Sequence, residues 1–469
     1  MNTPFYGGKE QESNEFSLSQ TDTLPHGFVD WILAGRYSRI LFSLFYFNRI
    51  RLTVLRSIKG LKDILPQQTP QWRYMETLAH TLAAQSGFSE IRIPIFESTE
   101  LYARSIGGET DIVEKEMYTF PDRDGSSLTL RPEGTAGVVR AVLEHHLLES
   151  PSTRKLYYLG PMFRHERPQA GRYRQFHQFG VEAFGTEDPF MDVEVIALLW
   201  RFFCSLGLKD LTLQMNSIGN TQDRVNYIRE LKQFLSFRLE TICGNCQRRY
   251  ITNPLRILDC KVPICQEATK DAPTLFDHLS PESAVHFQSV LDGLTSIEIP
   301  FSLNYRLVRG LDYYSRTTFE ITSPHLGAQS TIGAGGRYDG LVALLQGPST
   351  PAIGFAVGLE RVALLLPEQI ASPKIPLFFV AGFGKKAKPI AFNLLNELRE
   401  LGIRADTDYK SVNLKSLLRS ADKLGAGYAI ILGDDEARSE TAIIRNMTTK
   451  TQESVNLKEI SQKIQSLAS

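Results

Sequence analysis

The stretch FRHERPQAGRYRQFHQFGVEAFG, Phe163 to Gly185, decides how the chain is read. Leu156 to Arg164 reads as a strand, and Gln175 to Phe184 alternates as a second one. The ten residues between them, HERPQAGRYR, are polar and contain Gly and Pro, so the whole reads as a long antiparallel hairpin. Period-two alternation puts Gln178, Gly180 and Glu182 on one face. Gln178 and Glu182 then stand roughly 13 Å apart, and the glycine between them leaves a small ligand room to lie against the backbone. Arg164 closes the first strand, while Arg167, Arg172 and Arg174 in the connection offer planar donors that match phosphate and nucleic-acid backbone. Taken alone, the same pattern also describes a polar sheet face in water and a solvated basic loop.

Before the hairpin, Trp72, Met75, Leu78, Ala79 and Leu82 recur at helical spacing between Gln71 and Gln85, and Gly87 stops that helix. Phe88 to Pro94 reads as a strand closed by a proline, and Leu128 to Leu130 as a short strand. Pro132 is expected in the first turn of a helix, which puts Glu133 and Thr135 at a helix start. After the hairpin, residues from about 220 to 300 turn charged and helical, carry four of the five cysteines, and read as an insertion within a sheet domain. SPKIP at Ser372 to Pro376 then separates a small α/β domain with a mainly parallel sheet: strands Leu377 to Ala381 and Tyr428 to Leu432, and a helix Pro389 to Leu401.

A chain of 469 residues is expected to form two or three domains. A composition of 42% hydrophobic, 22% charged and 10% aromatic residues excludes wholesale disorder. The net charge of +0 argues against a polybasic binder, so a nucleic-acid partner has to be met by local basic patches. Residues 1–56 read as an N-terminal extension: an appended helix or disordered segment, or a translation-start artefact. Glu10, Glu12 and Glu15 lie too early for a transit peptide, and the apolar run Ile40 to Phe47 is too short to span a bilayer, so no membrane partner is expected. Few cysteines, with Cys204 alone and Cys243, Cys246, Cys260 and Cys265 together, suit a reducing cytoplasm rather than a secreted disulfide framework. The cluster admits two readings, a four-thiolate zinc spacing and a set of reduced thiols in a small helical lobe; its second half is looser than C-x-x-C.

The hairpin string resembles the second signature motif of the class II aminoacyl-tRNA synthetases, in the form it takes in the histidyl-tRNA synthetase family. GFSEIRIPIFES, Gly87 to Ser98, is similar to the first class II motif, and AIGFAVGLERV, Ala352 to Val362, to the third. LVRGLDYYSRTTFEI, Leu307 to Ile321, resembles that family's histidine motif, with GAGGRYDGL, Gly333 to Leu341, as its companion. LRSADKLGAGYAIILGDDE, Leu418 to Glu436, is similar to its anticodon-binding domain. The resemblance runs from about Leu55 to the C-terminal region, and the five segments before the anticodon-binding domain, in order, are far more specific than any one.

The resemblance implies an α+β fold: the class II synthetase antiparallel sheet flanked by helices over 57–375, with the helical insertion, and a C-terminal α/β anticodon-binding domain over 376–469. It implies a homodimer that activates L-histidine with ATP and Mg2+ and passes histidine to tRNA(His). Arg164 would then hold the α-phosphate and the amino acid carboxylate, Arg361 the γ-phosphate, and Arg309 the α-phosphate from the opposite side. Glu133, Thr135 and Gln178 match the positions that receive the α-ammonium group; Glu182 and Tyr314, with Tyr313 beside them, match those that read the imidazole. Arg167, Arg172 and Arg174 would meet the tRNA acceptor end. The C-terminal domain would reach the anticodon loop; its 14 Lys and Arg against 11 Asp and Glu over 377–469 do not by themselves mark an RNA surface. The rival reading is a non-catalytic synthetase-like regulatory subunit of ATP phosphoribosyltransferase, which normally lacks such a domain.

Overall fold

In the computed structural model of the protein, the described residues are 55–107, 110, 112–149, 152–308, 311, 313–327, 330–367 and 376–468. The extension expected over 1–56 falls outside the described residues except for 55 and 56, and so does Arg309. Residues 55–61 carry no helix or strand; one turn closes the Leu61 N–H onto Ile58 O at 2.9 Å.

Alternation in the hairpin strands builds the centre of an eight-stranded sheet. Its order is Ser89–Glu90, Arg154–Phe163, Gln175–Phe184, Ala352–Gly358, Thr331–Arg337, Ser315–Thr322, Thr212–Ser217 and Ser302–Leu303. The six inner strands pair antiparallel, and the two-residue strands at the edges pair parallel. On one face Phe179, Val181, Phe355, Val357 and Phe319 pack on the helices Thr69–Gln85 and Pro189–Ser205, through Met75, Ala79, Leu199, Phe202 and Phe203. Each fully buried phenylalanine contributes about 1.5–3 kcal/mol by leaving water. The Pro189–Ser205 helix starts where it does because Asp188 Oδ1 accepts the Phe190 N–H at 2.9 Å and Pro189 occupies the first turn.

Phe88 to Pro94 is not the full strand expected from the sequence: only Ser89 and Glu90 pair, with Leu156 and Tyr157. Beyond them the Arg131 guanidinium takes the place of the ladder, donating to Ile93 O at 2.7 Å and, at 2.8 Å, to Pro161 O of the neighbouring strand. Pro132 likewise stands outside the helix, which runs Thr135–Glu144, and its carbonyl accepts from Arg164 Nε at 2.8 Å.

The segment expected as an insertion is helical, with helices Thr221–Ser236, Gly244–Thr252, Pro263–Ala268 and Pro281–Ser296. The last of these sends Phe287, Val290, Leu291 and Leu294 into the main core beside the Pro189–Ser205 helix. The C-terminal sheet departs from the mainly parallel reading. Ala405–Asp406, Phe378–Gly382 and Tyr428–Leu432 are parallel, whereas Thr441–Asn446 and Gln452–Asn456 are added antiparallel. The links into those last two strands are too short for the crossover that parallel pairing needs. Asn446 Oδ1 instead accepts the Thr448 and Thr449 N–H groups and turns the chain back.

One buried ion pair ties the glycine-rich strand to the core. Arg337 Nη2 lies 2.7 Å from Asp192 Oδ1, both side chains being wholly buried. Arg337 also donates to Thr186 O at 3.0 Å and Asp188 O at 3.1 Å. Removing one partner of such a pair leaves an uncompensated buried charge, so Arg337→Leu is expected to destabilise the protein by about 3–5 kcal/mol. Urea unfolding of the two proteins side by side measures this, and a loss below about 1 kcal/mol would show the pair to be dispensable.

Candidate functional site

The sheet's second face is built from small residues set opposite polar ones. Register places Glu182 across from Gly354, Gly180 across from Ala356 and Gln178 across from Gly358. A Cβ at Gly354 would lie 2.0 Å from Glu182 Oε2 and 2.3 Å from Val181 O, so only glycine admits the carboxylate there. Above this floor opens a cavity of about 990 Å3, a volume suited to a nucleotide with a second small ligand. Glu133, Thr135, Arg164, Arg172, Gln178, Glu182, Tyr313, Tyr314 and Arg361 all line it. Arg167 and Arg174 do not: Arg167 is exposed on the connecting loop, and Arg174 is half-buried, its carbonyl accepting the Arg164 N–H at 2.9 Å.

The expected ligand space at Gly180 is filled by protein. Its Cβ would lie 2.3 Å from Tyr158 Cζ, and Gly134 is equally close to that ring. The glycines therefore admit the buried Tyr158 between the strand and the start of the Thr135–Glu144 helix, and the ligand space lies toward Glu182 and Gln178 instead.

At that helix start Glu133 accepts the N–H groups of Thr135 at 2.7 Å and Ala136 at 2.9 Å. Thr135 Oγ1 donates to Glu182 Oε1 at 2.8 Å, and Tyr338 Oη donates to Glu182 Oε2. Tyr338 stands in the glycine-rich companion string but carries no sequence signal for this contact; Tyr313 packs between it and Tyr314, with ring centroids at 5.6 Å and 4.8 Å. Gln178 is buried, and its Oε1 has no hydrogen-bond partner among the described residues. Glu133 and Glu182 make no ion pair there either, so the floor presents two buried carboxylates and an amide oxygen to whatever enters.

Burial pushes the Glu133 carboxyl above its ordinary range against the pull of the Ala136 and Thr135 amides. It also raises Glu182, to about 8, against the Tyr338 and Thr135 donors and with help from the Glu133 charge. Folding thus adds a proton that the unfolded chain, with an ordinary value of 4.5, would release. That contribution is complete below the unfolded value and is lost as pH rises through about 8. In the unliganded protein, Tm relative to that of Glu182→Gln is expected to fall by several degrees between about pH 5 and about pH 9. Differential scanning fluorimetry at matched ionic strength reads this; parallel profiles would place the Glu182 carboxyl near its ordinary value.

Arg164, Arg172 and Arg361 bring cations to the same cavity. Arg164 is held by its Nε bond to Pro132 O and lies over the Phe176 ring at 5.4 Å, while Arg361 Nη1 donates to Thr331 O at 2.6 Å. Burial, and then the neighbouring Arg172 charge, lower the Arg361 pKa. Arg172 pairs with Glu166 at 3.2 Å. Gly171, at φ +70°, lets the connecting loop pass against Arg361, where a Cβ would lie 3.0 Å from its Cγ. Sequence reasoning missed Glu360, which accepts the His177 N–H at 3.0 Å and 2.9 Å and meets His177 Nδ1 at 2.9 Å, fixing the helix that carries Arg361. Its position beside Arg361 in GLERV is the signal that was available.

Leu258, Asp259, Cys260 and Lys261 form another part of the cavity wall. The sulfurs of Cys243, Cys246, Cys260 and Cys265 all lie within 4.8 Å of one another, and the five cysteines are free of disulfides. No helix among the described residues is long and apolar enough to cross a membrane.

Comparison with known proteins covers most of the chain. A family model described as histidyl-tRNA synthetase matches residues 60–225 and 265–362, and one described as an anticodon binding domain matches 378–467. A histidine–tRNA ligase of Trichlorobacter lovleyi is 52% identical over 403 residues, which are 86% of this chain and 96% of that relative. One of Geobacter metallireducens is 50% identical over 404 residues, 86% and 98% of the two chains. The apo crystal structure of Staphylococcus aureus histidyl-tRNA synthetase superposes with a TM-score of 0.75 at 39% identity, covering 87% of this chain and 99% of that one. A Bacillus halodurans structure titled as an ATP phosphoribosyltransferase regulatory subunit/histidyl-tRNA synthetase shares the fold, with a TM-score of 0.58 at 21% identity, over 79% of this chain and 97% of that one. A sheet with one glycine-lined polar face, a cavity with acidic floor and cationic wall, and identity near one half over almost the full length of the ligases lead to one assignment: the chain belongs to the histidyl-tRNA synthetase family, the histidine–tRNA ligases.

Proposed function

We propose that this cavity carries out both steps of histidine–tRNA ligation with the residues named above. A carboxylate oxygen of L-histidine attacks the α-phosphorus of ATP, the bond to the β-phosphate breaks, and pyrophosphate leaves with Mg2+. The 3′-terminal ribose hydroxyl of tRNA(His) then attacks the adenylate carbonyl, and AMP leaves. The single observation that supports this reading best is that one cavity is lined by Glu133, Glu182 and the unpartnered Gln178 amide oxygen together with Arg164 and Arg361. Histidine carries its ammonium and carboxylate on one carbon and its ring N–H at the far end of the side chain, and ATP brings its charge to the carboxylate.

In this reading Glu133, Thr135 and Gln178 take the ammonium group. Glu182 and Tyr314, with Tyr313 packed alongside, take the imidazole nitrogens. A pocket that bonds both nitrogens rejects analogues that lack them, since its own buried groups are then left unpaired. Arg164 bridges substrate carboxylate and α-phosphate, Arg361 meets the γ-phosphate, and Arg309 approaches the α-phosphate from the other side, so that positive charge is in place where negative charge develops. Arg167, Arg172 and Arg174 are assigned to the acceptor end, and the C-terminal domain to the anticodon loop, the two single-stranded ends where RNA is most readable. The protein acts as a cytoplasmic homodimer whose contact is formed by the Thr69–Gln85 helix and residues 88–94, one self-complementary patch of the kind a two-fold interface requires.

The regulatory-subunit reading is less supported: this chain covers nearly all of ligases that are half identical to it, through the anticodon binding domain. Charging of tRNA(His) transcript with labelled histidine tests the proposal. ATP-dependent, acid-precipitable label supports it, and a folded protein that leaves the tRNA uncharged overturns it.

A further inference from the structure

We propose that Cys243, Cys246, Cys260 and Cys265 hold one structural Zn2+, and that this site fixes the wall of the active-site cavity formed by residues 258–261. The geometry starts from four sulfurs within 4.8 Å of one another. Four thiolates at the usual Zn–S distance of about 2.3 Å define a tetrahedron with edges of about 3.8 Å, so the cluster closes on a single ion by small side-chain adjustments. A cubane cluster, with each thiolate on a different iron, needs a wider cage. Cys246, Cys260 and Cys265 are buried and Cys243 is half-buried, which leaves no open position of the sort a catalytic metal keeps. The Cys243 backbone N–H donates to Cys265 Sγ at 3.2 Å, the outer-sphere bond that supports a metal-bound thiolate.

The local fold gives such an ion something to do. Cys243 and Cys246 stand at the start of the Gly244–Thr252 helix, and Cys260 and Cys265 flank the start of the short Pro263–Ala268 helix. The buried cysteines pack with Ile242, Ile257 and Leu258 in the protein's second hydrophobic core, so an ion held there would tie these short helices to that core. Arg306 connects this lobe to the segment that leads into the histidine motif. It donates to Thr269 O at 2.8 Å, Thr269 Oγ1 at 2.6 Å and Leu258 O at 3.3 Å. Leu258, Cys260, Arg306 and Leu307 all line the cavity, so the metal, the wall and that segment form one connected piece. This inference concerns the lobe and does not depend on the substrate assignments above.

The test uses the full chain, purified under reducing conditions without a metal-binding tag and washed with chelator. Elemental analysis is expected to find about one zinc per chain, and Cys246→Ser to reduce it to about a tenth or less, while Cys204→Ser retains it. In the native protein only the Cys204 thiol is expected to react with a thiol reagent, and all five after denaturation with chelator. Because the wild-type measurement needs no variant, a misfolded mutant does not blunt it. Wild-type zinc below about a tenth of an equivalent, iron in its place, or full zinc retention by Cys246→Ser would each overturn the proposal.

Discussion

Replacing Arg164 with alanine is expected to lower kcat/KM for histidine-dependent exchange of pyrophosphate into ATP about a thousandfold, equivalent to about 4 kcal/mol of transition-state stabilisation. Arg164 directly follows the first strand of the hairpin, and the protein holds it by the Nε bond to Pro132 O and by the Phe176 ring. Those contacts hold the guanidinium in place at the cavity that Glu133 and Glu182 also line. A side chain so constrained loses little conformational freedom when charge builds on the α-phosphate, which is where preorganised donors contribute most. Arg164→Lys keeps the charge but not the fork, and is expected to recover only part of the loss. Steady-state exchange kinetics on proteins of matched Tm provide the check; a loss under about tenfold in the alanine variant would remove Arg164 from the activation step.

Glu133→Gln is expected to cost about two to three orders of magnitude in kcat/KM for histidine while leaving KM for ATP within about threefold, because removing one partner of a buried charge pair costs about 3–5 kcal/mol. Glu133 has two tasks that the glutamine separates. Its oxygens accept the Thr135 and Ala136 amides, a capping task that a neutral carbonyl partly preserves. Its charge, raised in energy by burial, is available to an ammonium group. A fall in activity with Tm retained locates the effect in substrate binding. Loss of Tm with normal exchange kinetics in the folded fraction would make Glu133 a helix cap alone.

The hairpin was legible because strand alternation and a Gly- and Pro-containing connection are local signals, and the paired strands Arg154–Phe163 and Gln175–Phe184 follow from them. Gln178 and Glu182 sharing a face followed from the same period. The error at Gly180 has a clear origin: a glycine announces that something approaches the backbone, but not whether it is a ligand or, as here, the ring of Tyr158. Similarly, Phe88 to Pro94 has strand composition, yet an arginine nearly forty residues away takes the carbonyls that a neighbouring strand would use. The Arg337–Asp192 pair and the Tyr338–Glu182 bond join residues distant in the chain, and no periodicity reports on them. The mixed C-terminal sheet was missed because a short closing hairpin was overlooked beside the stronger strand–helix–strand pattern.

That the cavity accepts histidine and no other amino acid is tested most directly by pyrophosphate exchange run in parallel with each of the twenty amino acids. Exchange stimulated by histidine alone, and by the others at about a thousandth of that efficiency or less, is the predicted result. A folded protein that exchanges equally well with a different amino acid, or with none, would contradict it.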